Sequence, residues 1–170
     1  MRTPLVASEF VVPAQTKLGD YTLCPISTDN AVEDWLVLTA NADAIVRQRG
    51  GSVSLTEWPY SCTLEENFKD LAWLETCAEQ KQLFSYILRR ADGVYAGCVY
   101  IYPIELCYPE RAKDYDVDFS FWITEAEYDA GKYEPTFKAL LAWLKKDWPF
   151  DQKRIYLRNQ EMPANLKAGA

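Results

Sequence analysis

Two runs rich in aromatic and β-branched residues, 83–88 and 94–102, flank Arg90-Ala91-Asp92-Gly93, and this arrangement constrains the fold more than any other feature of the chain. An Asp-Gly step between such runs specifies a tight hairpin turn, because glycine takes the positive φ these turns require. The two runs are therefore expected to pair antiparallel. A third segment, 115–124, alternates Val117, Phe119, Phe121 and Ile123 with Asp116, Asp118, Ser120 and Trp122, which is the period of a strand with one core face and one mostly polar face. Pro135 then sits where a first helical turn tolerates its missing N–H, and Phe137, Leu140, Leu141, Leu144 and Trp148 follow at helical spacing before Pro149. The run 154–158 (Arg-Ile-Tyr-Leu-Arg) reads as a last short strand. A strand, a crossover helix and a strand in succession place the two strands parallel, so the sheet is expected to be mixed.

Upstream, 21–26 reads as a first strand after an extended leader. Ser27-Thr28-Asp29 supplies N-cap candidates for a helix through Ala31, Trp35, Leu36, Leu38 and Thr39. Residues 42–62 are expected to be a loop, with one apolar turn at Ala44, Ile45 and Val46 before Gly50-Gly51 breaks it. Thr63-Leu64-Glu65-Glu66 is a capping box, from which a helix should run with Leu64, Phe68, Leu71, Ala72, Cys77 and Ala78 as its buried stripe. The expected core is Leu64, Phe68, Leu71, Val99, Ile101, Val117, Phe119, Phe121, Leu140, Leu141 and Leu144. No repeat, low-complexity run or Gly/Ser linker divides the 170 residues, which reads as one α+β domain over 1–170.

The chain has no histidine, which excludes Ser-His-Asp and Cys-His nucleophile systems and H-E-x-x-H zinc sites. Five cysteines lie far apart without a C-x-x-C pair, so no metal site or redox motif is indicated, and their scatter suits a reduced, cytoplasmic protein. A formal charge of -7 repels nucleic acid and anionic membranes, and residues 1–13 are too short and interrupted to span a bilayer. Neither nucleic acid nor membrane is expected as a partner.

The element order, together with Trp58-Pro59, Thr63-Leu64-Glu65-Glu66-Asn67, Gly97-Cys98-Val99-Tyr100-Ile101, Trp143-Leu144 and Trp148-Pro149-Phe150, resembles the GCN5-related N-acetyltransferase (GNAT) superfamily, and within it a subgroup of small GNAT-like proteins. The resemblance covers roughly 21–159. It implies a mixed sheet with helices on both faces, shortened at the C-terminus, since only about a dozen residues follow Arg158. It further implies acetyl-CoA or another acyl-CoA as co-substrate, its pantetheine arm entering between the splayed fourth and fifth strands and its pyrophosphate meeting the loop that opens the next helix. At that loop the superfamily string Gln/Arg-x-x-Gly-x-Gly/Ala faces Tyr128-Asp129-Ala130-Gly131-Lys132-Tyr133, of which Gly131 alone matches. Gly131, Lys132, Tyr133 and Asn159 are the cofactor-binding candidates. No tyrosine follows Tyr156 to protonate a departing thiolate. The shortened sheet leaves an edge that a second subunit would cover, as in a homodimer.

Transfer to a neutral amine needs a base, and Asp118 and Asp116, on the polar face of the strand over 115–124, are the candidates, with Asp118 further into the strand. Two readings stay open. One is an acyl-CoA-dependent N-acyltransferase moving an acetyl group to a small-molecule or peptide amine by direct attack. The other is a catalytically inactive GNAT-fold module that binds a ligand or a protein.

Overall fold

The computed structural model describes residues 3–167, in which six strands form one sheet in chain order: β1 (Thr16–Leu18), β2 (Tyr21–Pro25), β3 (Phe84–Arg90), β4 (Tyr95–Pro103), β5 (Val117–Ile123) and β6 (Ile155–Leu157). Neighbours pair antiparallel except β5 and β6, which are parallel. The Asp-Gly hairpin joins β3 to β4, with the Arg90 N–H donating to the Val94 carbonyl at 2.9 Å. Between β5 and β6 the chain makes its crossover through α6 (Tyr133–Asp147), as the order of periodicities requires. β1, in the leader, was not marked by any alternation long enough to read.

Helices cover both faces. α6 turns Phe137, Leu140, Trp143 and Leu144 onto Val99, Ile101, Phe119 and Phe121, and Trp148 closes that layer against Phe84 with ring centroids 4.8 Å apart. Leu141, expected in the core, is only partly buried at its edge. The opposite face carries α1 (Ala31–Ala40), α2 (Ala42–Arg49) and α3 (Leu64–Glu79) over Tyr95, Cys98, Tyr100 and Trp122. Short helices α4 (Ile104–Cys107) and α5 (Glu125–Asp129) sit at either end of β5. No helix among the described residues is long and apolar enough to cross a membrane.

This second layer corrects two expectations and buries the polar face of a strand. Residues 42–49 are helix rather than loop, because Asn41 ends α1 and the chain turns at once into α2, whose Ile45 and Gln48 are fully buried. The polar face of β5 is not solvated: Asp118, Ser120 and Trp122 are all at most 1% exposed beneath the helices. On α3 the capping box forms as expected, Thr63 Oγ1 accepting from the Glu66 N–H at 3.2 Å, but the buried stripe is Asn67, Leu71, Leu74 and Cys77. Leu64 and Phe68 are 39% and 52% exposed. Leu71 and Cys77 are buried as expected, but the buried face extends to the other side of them, where Asn67 reaches inward to the Ala31 carbonyl and the Asp34 carboxylate, both at 3.0 Å.

Gly97 on β4 faces Ile123 on β5, where an added Cβ would run into the Trp122 carbonyl oxygen. Backbone cannot move aside there without parting the central strands. Gly97→Ala should therefore cost about 3 kcal/mol of stability, measured as a fall in the urea midpoint at unchanged m-value.

Candidate functional site

The parallel ladder between β5 and β6 is short. It ends where the Arg158 N–H donates to the Phe119 carbonyl at 2.9 Å, and β5 runs on with no strand on that side. A buried edge must still satisfy its N–H and C=O groups. Two side-chain amides do so. Asn159 Oδ1 accepts from the Phe121 N–H at 3.1 Å while its Nδ2 donates to the Phe121 carbonyl at 3.0 Å and to the Tyr133 hydroxyl at 2.8 Å. Gln48 repeats the pattern one step along, bonded to the Ile123 N–H and carbonyl, both at 2.9 Å. Asn159 is 4% exposed and Gln48 not at all. Tyr133 stacks on Phe121 at 5.1 Å, and burial pushes its phenol up to about 12.

The loop opening α6 is arranged for its own structure. Gly131 adopts φ +73 just past α5, its N–H donating to the Tyr128 carbonyl at 2.9 Å, and a Cβ there would meet nothing within 4 Å. Glycine is wanted for its left-handed backbone. Lys132 is tied to Asp20 at 2.6 Å, and Arg47 nearby lies between Glu125 and Glu161 at 3.1 and 3.0 Å. Acidic residues Glu125, Glu127, Asp129 and Glu134 punctuate the same stretch.

A cavity of about 490 Å³ lies instead on the other face, between the sheet, α3 and the loop over 50–62. Arg49 enters it from the end of α2, 5% exposed, its Nε donating to Ser120 Oγ at 3.1 Å and its guanidinium lying 4.4 Å from the Tyr100 ring centre. Arg158 enters from the end of β6, 8% exposed, with Nη1 3.7 Å from Asp118, Nη2 donating to the Gly51 carbonyl and Nε buried without a partner. Burial holds Arg49 below the usual guanidinium range, with the Arg158 charge adding to that effect. Asp118 lies behind this pair, hydrogen-bonded to the Cys107 thiol, with Oδ1 unpartnered. Burial raises its carboxyl above the ordinary value, opposed by Arg158. At the far end Asp34 accepts from the Tyr95 hydroxyl at 2.5 Å.

The sequence candidates are thus dispersed. Asp116 lies before β5 rather than on it, exposed and gripped by Arg154 through two 2.6 Å bonds that hold its carboxyl below the ordinary range, so it does not share a site with Asp118. Asn159 and Tyr133 come together, but on each other and on Phe121. Gly131 and Lys132 stay at the surface. Gln48, Arg49, Arg158 and Asp34 were not picked out from the sequence. Asp34 alone left a signal, an acid in register with Ala31 and Leu38 on the buried face of α1.

No protein-family model and no curated protein matches the sequence. Solved structures do match its fold. RimL, a ribosomal L7/L12 alpha-N-protein acetyltransferase in complex with coenzyme A, superposes with a TM-score of 0.55 at 14% identity over 81% of this chain and 70% of its own. A ribosomal-protein-S5-alanine acetyltransferase from Vibrio fischeri gives 0.56 at 13% identity over 79% and 68%. The microcin C7 self immunity acetyltransferase MccE, in complex with acetyl-CoA and AMP, gives 0.57 at 13% over 81% and 71%. The chain has the fold of the GNAT superfamily. Where that superfamily was expected to hold acyl-CoA, the groups present are already engaged: the edge of β5 beyond β6 is bonded to the buried amides of Gln48 and Asn159, and the cations beside the helix-opening loop, Lys132 and Arg47, are paired with Asp20, Glu125 and Glu161.

The raised Asp118 carboxyl has a consequence for stability. Above the unfolded value of 3.8 and below its folded value, the folded state alone holds the proton. The associated stabilisation is therefore complete below 3.8 and is lost as pH rises through the folded value. The unfolding free energy of the wild type minus that of Asp118→Asn should fall with rising pH, by about 1.4 kcal/mol for every pH unit between the two values. Urea titrations from about pH 4 to 8 measure it.

Proposed function

We propose that this chain is a GNAT-fold binding protein, taking a small molecule into the cavity beneath α3, and that it does not transfer acyl groups. The observation that carries this reading is the pair of buried amides, Gln48 and Asn159, on the backbone of Ile123 and Phe121. A pantetheine arm laid along β5 would have to expel both, leaving two side chains without partners at about 1–3 kcal/mol each. The cations beside the helix-opening loop, Lys132 and Arg47, are already paired with carboxylates.

The second reading is an acyl-CoA-dependent N-acyltransferase acting on a small-molecule or peptide amine. Asp118 favours it, since a buried carboxylate with a raised pKa beside a cavity is suited to accepting a proton from an amine. The neighbours supply the same suggestion: RimL and the S5-alanine enzyme are named for acetylating ribosomal proteins, and MccE was solved with acetyl-CoA. A cytoplasmic location, and a homodimer made by a second copy covering the three-residue edge strand β6, belong to either reading.

Isothermal calorimetry with acetyl-CoA and with free coenzyme A separates the two. No saturable heat is expected from either. Saturable binding of acetyl-CoA to the wild-type chain, weakened by Tyr133→Ala but not by Asp116→Asn, would overturn the binding reading in favour of transfer.

A further inference from the structure

Two guanidiniums are buried where two cavities meet, and the protein uses only part of their hydrogen-bonding capacity. The cavity of about 490 Å³ beneath α3 shares Arg49, Arg158, Cys107 and loop residues 51–53 with a second recess of about 500 Å³, which continues past Tyr108, Tyr156 and Gln160. Arg49 spends Nε on Ser120 and Nη1 on the Gly50 carbonyl at 3.4 Å, and among the described residues its Nη2 has no acceptor. Arg158 spends Nη2 on the Gly51 carbonyl. Its Nε is buried without a partner, and its Nη1 lies 3.7 Å from Asp118, beyond hydrogen-bond reach. Among the described residues Asp118 is the one carboxylate paired with either guanidinium, and it lines neither cavity. One buried positive charge is left uncompensated, a costly state that a bound anion would relieve. Unfilled donors on two converging guanidiniums mark a place for ligand oxygens. The first cavity adds apolar wall from Ile26, Leu71, Leu74 and Leu106.

We propose that the cavity beneath α3 binds a monocarboxylate with an apolar body, its carboxylate on Arg49 and Arg158 and its body against Leu71, Leu74 and Leu106. The assignment rests on the binding reading above and names its ligand class. A carboxylate is planar and singly charged, which matches both the guanidinium fork and the single surplus charge. A phosphate monoester brings a second negative charge, which the carboxylates lining the first cavity, Asp34, Glu66 and Asp70, oppose. The volume of about 490 Å³ leaves room for the apolar body beside the charged group.

The test titrates the full chain calorimetrically, near neutral pH, with acetate, hexanoate, octanoate, benzoate and phenylacetate, with the amide of any that binds, and with phenyl phosphate. At least one of the larger acids should bind, at least about tenfold more tightly than acetate and than its own amide. Arg158→Lys keeps the charge and loses the fork, and should weaken that acid about tenfold while leaving its amide unchanged. A purely structural role for Arg158 would move acid and amide together. The ligand series carries the test alone where Arg158→Lys fails to fold. The proposal is overturned if none of the acids binds, if the amide binds as tightly as the acid, if phenyl phosphate binds more tightly than every acid, or if a folded Arg158→Lys leaves the ratio of acid to amide affinity unchanged. Saturable binding of acetyl-CoA alongside such an acid would support the assignment while overturning the reading it rests on.

Discussion

The bonds between two side-chain amides and the free edge of β5 organise one end of this molecule. A strand–helix–strand crossover returns the chain parallel to β5, but β6 is only three residues long and covers only the first half of its neighbour. The remaining N–H and C=O groups lie under α6 on one side and α2 on the other, where water does not reach them. Gln48 and Asn159 each present one donor and one acceptor in the geometry of a peptide unit, so each stands in for a strand residue. To deliver Gln48, α2 must lie against β5. To deliver Asn159, the segment leaving β6 must bend across the sheet, where the Gln160 N–H reaches the Gln48 carbonyl at 2.7 Å and ties the two plugs together. That placement of α2 in turn puts Arg49, the residue after Gln48, on the opposite side of the edge and into the cavity.

The cost of burying charge is met unequally around the cavity. Asp34 has two donors and is held. Arg49 has a hydroxyl acceptor and the faces of Tyr100 and Trp58, which attract a cation without neutralising it. Asp118 and Arg158 form a loose pair that leaves one oxygen and one nitrogen unsatisfied. In a core chosen for stability alone, apolar residues of similar volume would serve better. Retained charges with unmet valences beside an open volume are what a binding site looks like before its ligand arrives.

The local grammar of the sheet was legible. The hairpin, the alternation through β5 and the crossover helix each follow from periodicity and turn chemistry within a dozen residues, and the parallel last strand follows from the handedness of connections. What covers the second face was not, because alternation tells which residues share a face and not whether a helix lies on it. Asp118 was therefore legible as a polar-face residue of its strand, but not as one of the most buried acids among the described residues. α2 was hidden for a related reason: eight residues with two arginines have little apolar periodicity, and the bonds that tie them to the sheet run from Gln48 to the Ile123 backbone. The displaced stripe on α3 shows the same effect, a buried Asn67 outweighing Leu64 and Phe68 because Asp34 and the Ala31 carbonyl needed its donors.

These exceptions converge. Asn67, Gln48, Asn159, Arg49 and Arg158 all break the rule that polar side chains face water, and all lie around the sheet edge or the cavity beneath α3. The amides of Gln48 and Asn159 each hold a backbone N–H and carbonyl of β5 and behave as structure. The guanidinium of Arg158 is not fully bonded, and neither is the carboxylate of Asp118. Gln48 and Asn159 bond the free edge of β5, while the unpartnered oxygen of Asp118 belongs to the other face of the same strand, opposite Arg158. On the α6 side the free edge of β5 is bonded to those amides, and on the other side Arg158 lines the cavity with its Nε unpartnered and its Nη1 3.7 Å from Asp118.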